Sequence, residues 1–544
     1  MKPKKITNIS PPRRHPLSAL AAKGDKDHQD AKNGFFDKDE QKKTFFKNTK
    51  KTKVAFKERA FTETQWFLFL GLMGLLVRLP MLKLATAETT DGVLCLTYFS
   101  PEMAQTPRFV VLPGYPFLLH IGEWLGCGGW MWGRLLSTLA GLLFLIPLWK
   151  FCRRWMSEEM SGMVCLMALF SPLLWQWSLK VMPDTLFLLA FWWCLERLTK
   201  AFAEKNKSAW VQANFAAVIA ACTRPEGFLI LPWIWAVGGR LENENRWKRF
   251  GLTILLWAGP FFQMKEKVFT LLYAYREGLG FTDGAAHLKF PFLNFLNHFY
   301  TYLSQPVYVF TPLVYWFAIL GLGKMARRYD AEGEAFKKVI LQVYLLLLLS
   351  RLFPTTYQDR HMLCFLPLLL VAAGYHLETF LNHWGEKRSS LKKMFFKNGL
   401  LTFCLVWLSL FSGAVLISQN DSFGDIKRSA EFLKTLPKDA IIYSDEIPKT
   451  EYWSGKKVLP VVLPFEPKKG DYVVLHSFYT DRLSFVDDNM RNRLGGIWLH
   501  EERSMVVPLL TDTMTEPKIQ NRTTATAYRF EPQFFMSLIY QMKK

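Results

Sequence analysis

Two carboxylates fall where this chain leaves its apolar stretches. Asp91 follows the first stretch, in Ala87-Glu88-Thr89-Thr90-Asp91-Gly92, and Asp184 precedes another, in Val181-Met182-Pro183-Asp184. A carboxylate at such a junction suits a general base that takes the proton of an attacking hydroxyl or amine. A solvated loop acid is the plain alternative for Asp91, and Glu88 competes with it for the role. Asp184 follows a proline at a helix start, so capping that helix is its plain alternative. Three arginines supply the opposite charge. Arg134 opens an apolar stretch after Trp130-Met131-Trp132-Gly133, Arg224 lies in Thr223-Arg224-Pro225-Glu226-Gly227, and Arg360 has Tyr357 and His361 beside it. A guanidinium at the edge of hydrocarbon is costly unless it snorkels or meets an anion, and a phosphate accepts it in bidentate fashion. Snorkelling explains any one of them, and Glu226 is the simpler partner for Arg224. Three on one side favour a lipid-phosphate site.

The elements that must hold these groups are apolar helices. Half of the 544 residues are apolar, and they are concentrated in blocks such as 66–77, 135–148, 163–177, 186–195, 250–262, 307–322, 339–349, 362–377 and 400–417. A soluble core hides one or two such helices, not nine, so the expected class is an α-helical integral membrane protein. The net charge of +22 is distributed unevenly. Lys and Arg crowd residues 2–59 and then every second loop, the positive-inside pattern that sets the N-terminus in the cytoplasm. No aromatic platform or reader motif accompanies the basic tail, so nucleic acid is not an expected partner. Residues 1–62 read as a disordered cytoplasmic tail, residues 63–419 as a transmembrane catalytic domain of about eleven spans, and residues 420–544 as a small extracytoplasmic α/β domain. In that last region 426–436 reads as an amphipathic helix, and 440–444 and 472–475 as buried strands. This topology puts Asp91, Asp184 and the three arginines on the outer face. Cys95 and Cys127 share the first outer loop, where a disulfide and two free thiols are both open.

The outer face restricts the reaction, because nucleotide sugars and ATP belong to the cytoplasm; a substrate there is lipid-linked, secreted or captured from outside. The ordered pieces Arg78-Leu79-Pro80, Asp91, Pro113-Gly114-Tyr115-Pro116, Gly133-Arg134-Leu135-Leu136-Ser137 with Gly141, Ser178 to Asp184, Thr223 to Gly227, and Arg360-His361 leading to Pro367 resemble the GT-C glycosyltransferases that use polyprenyl-phosphate sugars. Among these they are similar to bacterial protein O-mannosyltransferase-like and lipid A aminoarabinose transferase-like enzymes. The resemblance covers about residues 65–380. It implies a GT-C-like fold, an inner-membrane protein with its C-terminal domain in the periplasm, and a polyprenyl-phosphate-linked sugar as donor. It further implies a protein, lipid A or glycan acceptor, inversion at the anomeric carbon, a catalytic carboxylate at Asp91 and a lipid-phosphate contact at Arg134. Asp184, Arg224, Tyr357 and Arg360 are expected to line the same cavity. The chain departs from the family at Asp91-Gly92, where an acidic pair is usual, and at Cys95, where a tyrosine is common. A divalent metal is left open, since two acids without a histidine make a poor transition-metal site. The rival readings are a transporter or flippase of lipid-linked sugars, with the acids as proton relays, and a non-catalytic assembly protein.

Overall fold

A computed structural model describes residues 62–82, 89–99, 111–241, 246–276, 299–300, 303, 312–352, 359–385, 398–399, 402–410, 430–444, 447–460, 472–476 and 537–541. The expected tail over residues 1–62 therefore lies outside the described residues, apart from Thr62.

Helix α1 (Glu63–Arg78) ends in a 3-10 turn, Pro80–Leu82, and α2 (Thr90–Leu96) and α3 (Gly114–Trp124) follow. Two apolar blocks then appear as broken pairs: α4 (Trp130–Leu143) with α5 (Leu145–Cys152), and α6 (Glu158–Leu169) with α7 (Pro172–Ser178). The second pair bends by 57°. Pro172 explains that break, since it has no N–H to donate back into α6 and belongs at the first position of a new helix. Beyond it come α8 (Asp184–Glu204), α9 (Lys207–Thr223), a 3-10 turn (Pro225–Ile230), α10 (Leu231–Arg240) and α11 (Arg246–Arg276). The bundle continues with α12 (Pro312–Ala326), α13 (Ala331–Ala335), a π-helical turn (Phe336–Ile340), α14 (Leu341–Leu352), a 3-10 turn (Asp359–Cys364) and α15 (Leu366–Gly385).

Among the described residues, Glu63–Leu82 and Trp130–Cys152 are long and apolar enough to cross a membrane, and the bent α6–α7 pair makes a third. The expectation of about eleven spans rested on charge alternation between apolar blocks, which ignores such breaks; two of those blocks, 307–322 and 400–417, also run partly into residues that are not described. One core unites most of the helices, with Trp149, Trp192, Phe144, Phe151 and Phe191 fully buried in it, while α2 and α3 share a smaller one. The face of α1 turned away from it exposes Leu68, Leu72 and Leu76, a stripe that suits hydrocarbon.

Near the C-terminus, β1 (Ile442–Ser444), α16 (Ile447–Ser454), β2 (Val458–Pro460), β3 (Tyr472–His476) and β4 (Ser537–Gln541) form a sheet in the order β2-β1-β3-β4. The first three strands are parallel, joined through α16 between β1 and β2, and β4 closes the edge antiparallel to β3. The two strands expected from sequence are β1 and β3, and residues 430–434 of the expected amphipathic helix are helical.

Candidate active site

Asp91 lies in the first turn of α2, which gives it a rigid base where a loop was expected. Thr89 caps that helix: its hydroxyl oxygen accepts from the Gly92 N–H at 3.1 Å and donates to the Met182 sulfur at 3.1 Å. The cap therefore ties α2 to the segment that leads into α8. The carboxylate of Asp91 is about one-third exposed and pairs with the guanidinium of Arg360, 269 residues further along the chain. Arg360 sits on the 3-10 turn 359–364, which packs against α7, α8 and α15. Its Cys364 carbonyl accepts from the buried Tyr344 hydroxyl of α14 at 2.9 Å, fixing the far end of the turn. Glu88 and Tyr357 lie outside the described residues.

A second cluster adjoins the same turn. Asp184 is almost fully buried at the start of α8, and its Oδ1 pairs with Nη1 of Arg224. Nε and Nη2 of Arg224 each donate to Glu226 at 3.3 Å. The capping role considered for Asp184 is not realised: Pro183 is the N-cap of α8, no side chain caps the helix, and the carboxylate turns to the arginine. Among the described residues, the second oxygen of Asp184 is buried without a hydrogen-bond partner, and so is Nε of Arg360. Local covalent geometry sets the position of Arg224. α9 ends at Thr223, Arg224 is extended, and Pro225 starts a 3-10 turn that returns over the helix end. Gly227 is obligatory in that return, because a Cβ there would stand 2.3 Å from the Ala221 nitrogen.

Arg134 has partners other than the phosphate expected of it. The residue is buried, donates through Nη1 to the Leu82 carbonyl at 2.8 Å, and lies 4.6 Å from the centre of the Trp130 ring. Through Leu82 it braces the turn after α1.

Several positioning groups escaped the sequence reading as individual residues, although they belong to its motifs. Arg78 is buried and donates to the Ser178 hydroxyl at 3.0 Å and the Leu169 carbonyl at 2.8 Å, spanning the break between α6 and α7. The Tyr115 hydroxyl lies 2.7 Å from Ser137 Oγ and donates to the Gly133 carbonyl at 2.9 Å. Ser137 and Thr138 in turn donate to the carbonyls of Met182 and Ser178. These bonds satisfy the backbone of residues 178–182 where no regular helix does, and so aim Asp184. A side chain at Gly133 would strike Val181 at 2.8 Å. Cys95 is buried in the small core around α2 and α3, Cys127 is exposed, and both are free thiols. Among the described residues no group of three or more His, Cys, Asp or Glu side chains is placed to hold a metal ion.

Residues 111–262 match the family described as dolichyl-phosphate-mannose-protein mannosyltransferase. That stretch contains Arg134, Asp184 and Arg224; Asp91 and Arg360 lie outside it. No curated protein sequence matches the chain significantly. Among solved structures, the oligosaccharyltransferase of Archaeoglobus fulgidus in its apo form aligns with a TM-score of 0.50 at 10% identity, over 74% of this chain and 65% of that one. ArnT from Cupriavidus metallidurans bound to undecaprenyl phosphate aligns with a TM-score of 0.49 at 13% identity, over 78% and 95% of the two chains. The resemblance to GT-C glycosyltransferases read from the motifs thus agrees with the family match over 111–262 and with the fold shared with the archaeal enzyme.

Proposed function

We propose that this protein is a membrane-embedded glycosyltransferase that moves a sugar from a polyprenyl-phosphate donor to an acceptor on the outer face of the membrane. The observation that carries the reading is the Asp91–Arg360 pair, a partly exposed carboxylate and a guanidinium brought together from distant parts of the chain. A base and an anion-binding group side by side match the two ends of a glycosyl transfer. Support comes also from the mannosyltransferase family match next to this site in the fold, and from the ordered motifs along residues 65–380.

In the proposed step Asp91 accepts the proton of the acceptor hydroxyl as its oxygen attacks the anomeric carbon. The new carbon–oxygen bond forms as the bond to the lipid phosphate breaks, and the phosphate leaves with the electron pair. Attack opposite the leaving group inverts the anomeric centre. Arg360 exchanges its carboxylate partner for the departing phosphate and stabilises the charge that grows there. Asp184, Arg224 and Glu226 form the polar wall beside it, with Asp184 Oδ2 free to accept a donor hydroxyl. Arg134 acts from behind this wall through Leu82. The protein is placed in the inner membrane with its N-terminus cytoplasmic and residues 420–544 periplasmic.

The test is transfer of label from a radiolabelled polyprenyl-phosphate sugar to a crude envelope acceptor fraction, with purified wild type beside Asp91→Asn. Wild type is expected to transfer label, and the variant to fall by about 10²-fold or more. No transfer by wild type, or equal transfer by both, sinks the proposal. A flippase would move the labelled lipid across vesicles without forming a new glycosidic bond.

A further inference from the structure

At the other end of α9 from Arg224 lies a second cavity, which the transfer reaction does not use. The thirteen residue steps from Trp210 to Thr223 put about 20 Å of helix between the two. The cavity measures about 430 Å³ and opens between α9, α10 and α11. Trp210, Trp235, Trp247 and Phe250 make its aromatic walls, and Arg249 and Gly239 are part of the rest of the lining. Phe250 stands 5.5 Å from Trp235 and 6.1 Å from Trp247, ring centre to ring centre. Trp247 is 83% exposed and Trp235 nearly half exposed, a poor arrangement in water and an ordinary one at a membrane–water boundary. Ile254 and Leu255, one turn further along α11, carry the apolar surface onward from the aromatic rim.

The charge beside this rim is positive. Residues 240–249 hold four basic side chains (Arg240, Arg246, Lys248, Arg249) against two acidic ones (Glu242, Glu244), an excess of two. Arg249 lines the cavity and donates through Nη2 to the Leu241 carbonyl at 2.9 Å. Lys248 is exposed, and the guanidinium of Arg240 lies 4.7 Å from the centre of the Phe202 ring. The alternation of basic loops assigns this end to the cytoplasmic face, the side where basic pockets between helices meet anionic headgroups.

We propose that this cavity is a binding site for an anionic phospholipid of the surrounding membrane. The phosphate faces Arg249 and Lys248, and the start of the acyl chains lies against Trp235, Trp247 and Phe250. A soluble phosphate would satisfy the arginine and leave the aromatic walls uncovered; a zwitterionic lipid would cover the walls and meet the basic excess less well. The site stands apart from the glycosyl-transfer reading, since it shares no residue with the Asp91 cluster.

The experiment is native mass spectrometry of the full chain in mixed micelles holding equal phosphatidylglycerol and phosphatidylcholine. Wild type is expected to retain phosphatidylglycerol in about fivefold preference. Gly239→Leu should bring retention to parity. Gly239 lines the cavity and a Cβ there meets nothing within 4 Å, so the leucine side chain can start into the cavity without a clash at Cβ. Gly71→Leu, on α1 and equally free of contacts at its Cβ, is the control and should keep the preference. Equal retention of the two lipids by wild type, or full preference in Gly239→Leu, overturns the proposal. Displacement of the lipid by soluble glycerophosphate at millimolar concentration overturns it too, since the chains would then contribute nothing. A photoreactive residue in place of Trp247 should cross-link to lipid; a cross-link to another stretch of this chain or to a second copy names a different occupant and overturns it as well.

Discussion

At the scale of single residues, the candidate site is a set of charges that compensate one another across the fold. Arg224 stands between Asp184 and Glu226, and its side chain is only 13% exposed. Truncation at Arg224→Ala would remove the cation that pairs with the buried Asp184, a loss of about 3–5 kcal/mol. The expected outcome is a large drop in thermal stability in detergent, together with loss of transfer. The double variant Arg224→Ala/Asp184→Ala should recover part of that stability, because it removes one of the stranded charges; strict additivity of the two losses would contradict the pairing. Asp91 behaves otherwise. Asp91 itself is about one-third exposed, but its partner Arg360 is only 14% exposed, so Asp91→Asn is expected to lose activity with a melting-temperature loss smaller than that of Arg224→Ala, the amide oxygen still accepting from the guanidinium.

At the scale of elements, glycine positions separate backbone that must come close from backbone that merely bends. Gly227 returns over α9 so closely that an added Cβ stands 2.5 Å or less from the Ala220 and Ala221 backbone. Gly114 brings α3 onto the Cys222 carbonyl, 2.7 Å from where its Cβ would be. Backbone atoms have no side-chain freedom with which to give way, so Gly227→Ala and Gly114→Ala should shift the end of α9 and with it Arg224. Both variants are expected to lower the melting temperature and the transfer rate together. Gly71→Ala offers the contrast: it lies mid-helix with nothing near its Cβ, and should stabilise α1 by about 0.5–1 kcal/mol. Thermal melts of the three variants in one detergent decide between these outcomes. The broken helices belong to this scale as well. Arg78 binds the Leu169 carbonyl at the α6–α7 break, and Ser137 and Thr138 bind residues 178–182 beyond α7, the segment that delivers Asp184 to the site.

At the scale of the whole molecule, the C-terminal sheet reaches the site through one helix. α16 packs against α2, the helix that bears Asp91. Lys449 and Thr450 of α16 are almost fully buried, and Thr450 shares a 3.0 Å hydrogen bond with Ser444 at the end of β1. The helix thus joins the sheet to the candidate base. A chain ending at residue 419 is expected to keep the helical bundle but transfer label at least about tenfold more slowly, because α2 loses one of the surfaces that hold it. Donor binding, read by co-purified polyprenyl phosphate, should persist. A truncated protein with wild-type transfer would separate the sheet from the chemistry.

The sequence by itself determined what local patterns encode. Runs of apolar residues announced the helices, the 440–444 and 472–475 stretches announced strands, and the motifs located both acids and all the arginines of the site. Hydropathy and turn chemistry act within a few residues, so one chain displays them. Partnership is different, because it is settled by competition among groups that only packing brings within reach. Arg134 reached the Leu82 carbonyl 52 residues away; Asp184 looked like a cap and became half of an ion pair; Arg360 met Asp91 across 269 residues. A buried charge takes the nearest group able to compensate it, and which group is nearest is a property of the tertiary structure alone.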